Sequence, residues 1–171
     1  MVVEKELKVS AEAFFNEITK SILGDIRRQT GKKVHASQLK PGTNYKKKIP
    51  GRPSSNAEVR VKILACEPNA LYSSSFTSSI DETITTYEIS SLDTDRILVR
   101  YTEEYRLLRK ISRLFDESRY MERRSQKRGL KLLKKIEDTI LNNQQESVSS
   151  ILMKNKSESC NCYVKMMNMC L

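Results

Sequence analysis

The chain has no tryptophan, one histidine, five glycines and four prolines in 171 residues, and only 6% of it is aromatic. A single histidine, His35, with no cysteine or carboxylate at ligand spacing, gives no basis for a metal centre or for a Ser/His/Asp or Cys/His nucleophile. The glycines do not form a phosphate loop, because Thr30-Gly31-Lys32 lacks the GxxxxGK[ST] framework. No motif calls for a cofactor. No stretch approaches the ~18 apolar residues of a membrane span, and MVVEKELKVS has no apolar signal core. The expected location is therefore cytoplasmic. Of the four cysteines, Cys66 lies in a strand-like run, while Cys160, Cys162 and Cys170 crowd a polar end where they could close only tiny loops. They read as thiols rather than as a disulfide framework.

What is abundant is positive charge, with a formal net of +10. Residues 119–135 carry eight Lys/Arg against Glu122, so 8 − 1 = +7 falls on one segment. That segment belongs to a long amphipathic stretch, about Leu107 to Leu141. Leu114, Ser118, Met121, Ser125, Gly129, Leu132, Ile136 and Ile140 recur there at steps of three and four, the spacing of one helical face. Arg119, Arg123, Arg124, Lys127, Arg128 and Lys131 take the other face. This patch serves either as the solvated side of the helix or as an anion-binding surface for nucleic acid or acidic lipid. Base-stacking aromatics do not accompany it, so any nucleic-acid contact would be non-specific.

The remainder is strand-rich. Val3, Leu7 and Val9 alternate with charges in a first strand, and Ser10 can cap a helix bearing Phe14, Phe15, Ile18, Ile22 and Ile26. Gly24 is expected to bend or break the last turn, with an irregular segment from Arg27 to Thr43. From Asn44 an antiparallel meander is expected. Val59, Val61, Ile63 and Ala65 share one side of its clearest strand, with Cys66 turned away from them. Tyr72, Ser74 and Phe76 share a face of the next. Ile84 and Tyr87 fall on opposite parities, which suggests a bulge or an edge position. Ile97, Val99, Tyr101, Glu103, Tyr105 and Leu107 share a face of the last strand. These elements predict an α+β domain over 1–142, a curved antiparallel β-sheet wrapped around a long C-terminal helix. Residues 143–171 read as a polar, disordered tail.

The motifs DIRRQTGKK (25–33), NYKKK (44–48), EPNALY (67–72), TYEI (86–89), YTEEY (101–105) and KKIE (134–137) resemble a small uncharacterised bacterial family of the START-like (SRPBCC) helix-grip superfamily. The resemblance spans about residues 3–140 and implies the helix-grip fold without an activity. In such a fold, sheet and helix can enclose a pocket. Small residues at Ser118, Ser125 and Gly129 leave room where a filled core would want Leu or Ile. With Met121 they face Tyr72, Phe76, Tyr87, Tyr101, Glu103 and Tyr105, an aromatic lining with few polar groups that suits a small hydrophobic or amphipathic ligand. The alternative is that the tyrosines fill the space and bond Glu103 themselves. A further alternative makes Glu103 the acid–base group of a weak hydrolase or cyclase-like enzyme, although such chemistry needs more than one group. No catalytic set is assigned.

Overall fold

In the computed structural model, the structure describes residues 1–48, 58–108 and 123–146. Strand β1 (Val2–Leu7) leads into helix α1 (Ala11–Thr30). A short 3-10 turn (Ala36–Gln38) precedes β2 (Asn44–Lys48), β3 (Glu58–Glu67), β4 (Leu71–Thr77), β5 (Asp81–Ser91) and β6 (Ile97–Leu107). Helix α2 covers residues 123–146. All pairings are antiparallel, in the order β1-β6-β5-β4-β3-β2. The fold is thus α+β, a curved six-stranded sheet with a C-terminal helix, as the element order predicts. The chain divides into compact units Met1–Glu137 and Asp138–Leu171. Helical residues 123–137 belong to the first and 138–146 to the second, so helix continues past the boundary expected at 142. The rest of the expected tail lies outside the described residues.

Helix α1 begins where Ser10 Oγ accepts the Ala13 N–H at 3.2 Å. It does not stop at Gly24. Burial of Ile26 and the Asp25–Arg28 and Asp25–Lys47 ion pairs offset the roughly 1 kcal/mol that glycine costs a helix. The end comes at Gly31, whose left-handed backbone (φ 69°) lets its N–H bond the Arg27 carbonyl at 2.9 Å. Arg27–Thr30, expected to be irregular, is therefore helical.

Two strand expectations are corrected by register. In β3 the pairing slips between Ile63 and Ala65, so Leu64 is the extra residue of a bulge. Ala65 then faces away from Val61 and Ile63, while Cys66 returns to their side, opposite Tyr72. Strand β5 is neither bulged nor at an edge. It runs in unbroken register between β4 and β6, with Ile84 on the outer side and Thr83, Thr85, Tyr87 and Ile89 on the inner one.

The core lies between the inner side of the sheet and the helices. Leu7, Ile97 and Val99 are fully buried, as are Phe14 of α1 and Leu133 of α2. The buried row of α2 within the first unit is Gly129, Leu133 and Glu137, a step of four. Leu132, expected on this stripe, is exposed instead, and Ile136 is half-buried.

Candidate functional site

Directly opposed residues of an antiparallel pair share a face, so the register places the inner side residue by residue. Tyr72 lies opposite Tyr87, and Tyr87 opposite Tyr101. One step along come Ser74, Thr85 and Glu103, and one step further Phe76, Thr83 and Tyr105. Four aromatic rings meet here. Tyr87 stands 4.9 Å from Tyr101 and 6.4 Å from Tyr72 between centroids, and Phe14 meets Tyr87 edge-on at 6.2 Å.

The polar groups among these rings are ordered. Tyr101 Oη donates to Glu103 Oε2 at 3.1 Å, and the buried Ser74 hydroxyl meets Thr85 Oγ1 at 3.2 Å. The Glu103 backbone N–H donates to Met1 O at 2.9 Å, which ties this end of β6 to the start of β1. Burial is the main cause that raises the Tyr101 phenol pKa, followed by its neighbour Tyr87 and the Glu103 carboxylate. Burial likewise raises Tyr87, with Tyr72 and Glu103 adding to it. Tyr72 is raised by burial against a partly compensating bond to Ser74. The three phenols therefore stay neutral and keep their capacity to donate.

Exposure divides the expected lining. Tyr72 and Tyr101 are buried; Phe76, Tyr87 and Glu103 are half-buried; Tyr105, at the sheet end, is 50% exposed. Ser125 is half-buried and accepts from Arg128 Nη2 at 2.8 Å. Gly129 is buried, and a Cβ built there would stand 3.1 Å from Val3 Cγ2 and 3.2 Å from Tyr101 Cδ1. Its missing side chain is thus matched by Val3, Tyr101 and Met1, and it brings the helix close to the sheet instead of leaving a void. Ser118 and Met121 lie outside the described residues, as does Arg119. The other expected basic residues, Arg123, Arg124, Lys127, Arg128 and Lys131, are all exposed.

Several neighbours of this region were not singled out from the sequence. Phe14 comes from a different element. Cys66 is hidden by the bulge, and burial raises its thiol. Thr83 and Thr85 were legible in principle, since they share parity with Tyr87. Glu137 is a buried carboxylate on α2 that accepts from the Lys8 N–H at 2.7 Å and from Lys134 Nζ at 3.1 Å. Its role is to hold the helix to the end of β1. Among the described residues, no group of three or more His, Cys, Asp or Glu could hold a metal. No helix among them is long and apolar enough to cross a membrane.

Residues 1–118 match the family described as a domain of unknown function, DUF3284. The chain belongs to that family. No curated protein matches it in sequence. The solved structures similar to this family member carry the same fold. One is the Aha1 dimer from Colwellia psychrerythraea (TM-score 0.53, 14% identity, 82% of this chain and 94% of that one). Another is a norcoclaurine synthase point mutant from Thalictrum flavum, in complex with a transition-state analogue (0.53, 11%, 84% and 94%). A third is a protein of unknown function from Staphylococcus aureus (0.53, 17%, 85% and 96%). At these identities the likeness establishes the START-like, helix-grip fold and nothing about chemistry.

Proposed function

We propose that this DUF3284 member is a binding module for a small amphipathic molecule, seated on the inner side of the sheet beside Tyr72, Phe76, Tyr87, Tyr101 and Glu103, with Ser125 of α2 above. The observation that carries the reading is the character of three adjacent strands. Where a filled core would select aliphatic residues, β4, β5 and β6 present Ser74, Thr83, Thr85 and Glu103 among aromatic rings, and most of them remain half-exposed. Apolar walls with a few placed donors and acceptors are what small-molecule sites require. Neutral phenols would donate to a carbonyl or carboxylate of the ligand, and Glu103 would accept from a hydroxyl or amine. The norcoclaurine synthase point mutant with this fold is in complex with a transition-state analogue, which supports the scaffold's suitability without naming a ligand here. Among the described residues Tyr101 is the hydrogen-bond partner of the Glu103 side chain, and acid–base chemistry needs more than one such group.

The test is denaturing extraction of the purified protein followed by mass spectrometry, then titration of the emptied, refolded chain with anilinonaphthalene sulfonate. Release of a defined small molecule, or saturable uptake of the dye at a single site, is expected. A clean extract together with no saturable uptake would sink the reading.

A second reading rests on α2. Its cations at Arg123, Arg124, Lys127, Arg128 and Lys131 are exposed and could meet an anionic surface of nucleic acid or acidic lipid. Replacing Arg123, Arg124, Lys127 and Lys131 by Gln should then weaken association and flatten its salt dependence, and unchanged binding would remove this reading.

A further inference from the structure

The outer side of the sheet holds a second feature, unrelated to the tyrosine row. A groove of about 500 Å³ crosses β2, β3, β4 and the start of β5, lined by Lys46, Glu58, Arg60, Lys62, Ser75, Thr77, Ser78 and Glu82. No residue of this lining is aliphatic or aromatic. The register explains how it is built. Lys46 stands opposite Arg60, Arg60 opposite Thr77, and Thr77 opposite Glu82; Lys62 stands opposite Ser75.

Like charges directly opposed on a sheet repel, so Lys46 beside Arg60 is an unfavourable pair that bound negative charge would relieve. Lys46 is engaged by Glu58 at 2.9 Å. Arg60 and Lys62 have no ion-pair partner among the described residues. Beside them, Ser75 is only 4% exposed, lines the groove, and its hydroxyl has no hydrogen-bond partner among the described residues. Among the described residues no buried side-chain polar atom lacks a partner, so the Ser75 hydroxyl is open to the groove, where a ligand or water can meet it. The other wall differs. Glu82 takes one bond from Thr77 Oγ1 at 3.3 Å on Oε1, and its Oε2 accepts no bond from the described residues.

We propose that this groove binds a phosphate monoester whose carbon skeleton carries hydroxyl groups. The Arg60 fork and the Lys62 ammonium take the phosphate oxygens, and the Ser75 hydroxyl donates to one of them. Glu82 accepts from a ligand hydroxyl across the groove. The volume exceeds what a bare phosphate fills, and the acid on the far wall disfavours a ligand that is anionic throughout.

The experiment titrates the full chain with glycerol 3-phosphate, inorganic phosphate and glycerol, read by amide NMR shifts. Saturable shifts at Arg60, Lys62, Ser75 and Thr77 are expected, strongest with the ester and absent with glycerol. The Arg60→Gln/Lys62→Gln variant should bind the ester about tenfold or more weakly, the loss of at least one charge-assisted contact. Ser75→Ala should weaken it by a smaller factor, and Arg123→Gln/Lys127→Gln should leave it unchanged. Several results would overturn the proposal: no saturable shift in the millimolar range, shifts centred on residues 123–131, or undiminished binding by the Arg60/Lys62 variant. Inorganic phosphate binding as tightly as the ester would remove the hydroxylated ligand. If the double variant fails to fold, the shift map of the unaltered chain decides.

Discussion

The two ends of the sheet's inner side are built from the same strands and differ in almost every physical respect. At one end, Leu7, Ile97 and Val99 are fully buried, with Leu133 also in the core and Glu137 fastened to Lys8 close by. At the other end, the same β5 and β6 carry Thr83, Thr85 and Glu103, half-exposed, beside Tyr87 and Tyr101. Since strand order and pairing are shared, the backbone does not cause the contrast. Side-chain choice does. The aliphatic end fixes the helix on the sheet, and the aromatic, polar end is the one to which we assign the ligand. Gly129 marks the transition, where the helix comes closest to Val3 and Tyr101.

The largest expected effect sharpens this contrast. Leu133→Ala should cost about 2–5 kcal/mol in denaturant unfolding, as for other leucines removed from a closed core. Thr85→Ala should cost under about 1 kcal/mol in the same measurement, a neutral hydrogen bond's worth at a half-exposed site. Equal losses at the two positions would erase the distinction between the ends. Gly129→Val places a branched side chain against Val3 and Tyr101 and should destabilise by about 1–3 kcal/mol, by overpacking. A neutral result in thermal unfolding would show that the transition is slack.

Much of this architecture was legible in the residues. Period-two alternation identifies the strands, Ser10 marks the start of α1, and the described basic residues Arg123, Arg124, Lys127, Arg128 and Lys131 lie on the exposed side of α2 as the charge pattern suggests. The failures have specific causes. Leu64 inserts one extra residue into β3, and a bulge leaves no mark in an alternation that simply continues, so parity alone puts Ala65 and Cys66 on the wrong sides. Strand β5 has an inconsistent apolar parity because threonines take inward positions where a filled core would have aliphatics. Leu132 and Leu133 are adjacent, and a pattern tolerating steps of three or four cannot choose between them. The outer groove could not be read at all, since Lys46, Arg60, Lys62, Ser75 and Glu82 come together only through four-strand register and otherwise resemble an ordinary solvated face.

Smaller effects separate the ends further. Tyr101→Phe removes the hydroxyl that bonds Glu103 and should cost about 1 kcal/mol, since the half-exposed carboxylate regains water. A loss several times larger in denaturant unfolding would mean that this bond belongs to the sealed core. The last effect appears only in acid. Burial opposes ionisation of Glu137, but the Lys8 N–H bond and the Lys134 ammonium outweigh it and hold the pKa below the ordinary value. A lowered carboxylate contributes stability that is present above its unfolded pKa and lost as pH falls through the folded one. The unaltered protein should therefore lose more stability than Glu137→Gln as pH drops through the carboxylate range. Parallel pH profiles would contradict the assignment of that bond to the sealed end.

The most direct test of the central claim compares the ends in one experiment. Methyl NMR spectra of the full chain, recorded while anilinonaphthalene sulfonate is added, report on Thr83 and Thr85 at one end and on Leu7, Ile97 and Val99 at the other. Saturable shifts of the threonine methyls, with the aliphatic methyls nearly still, are the predicted result. Shifts spread equally over both sets, or no saturable shift at Thr83 and Thr85, would contradict a ligand site at the aromatic, polar end.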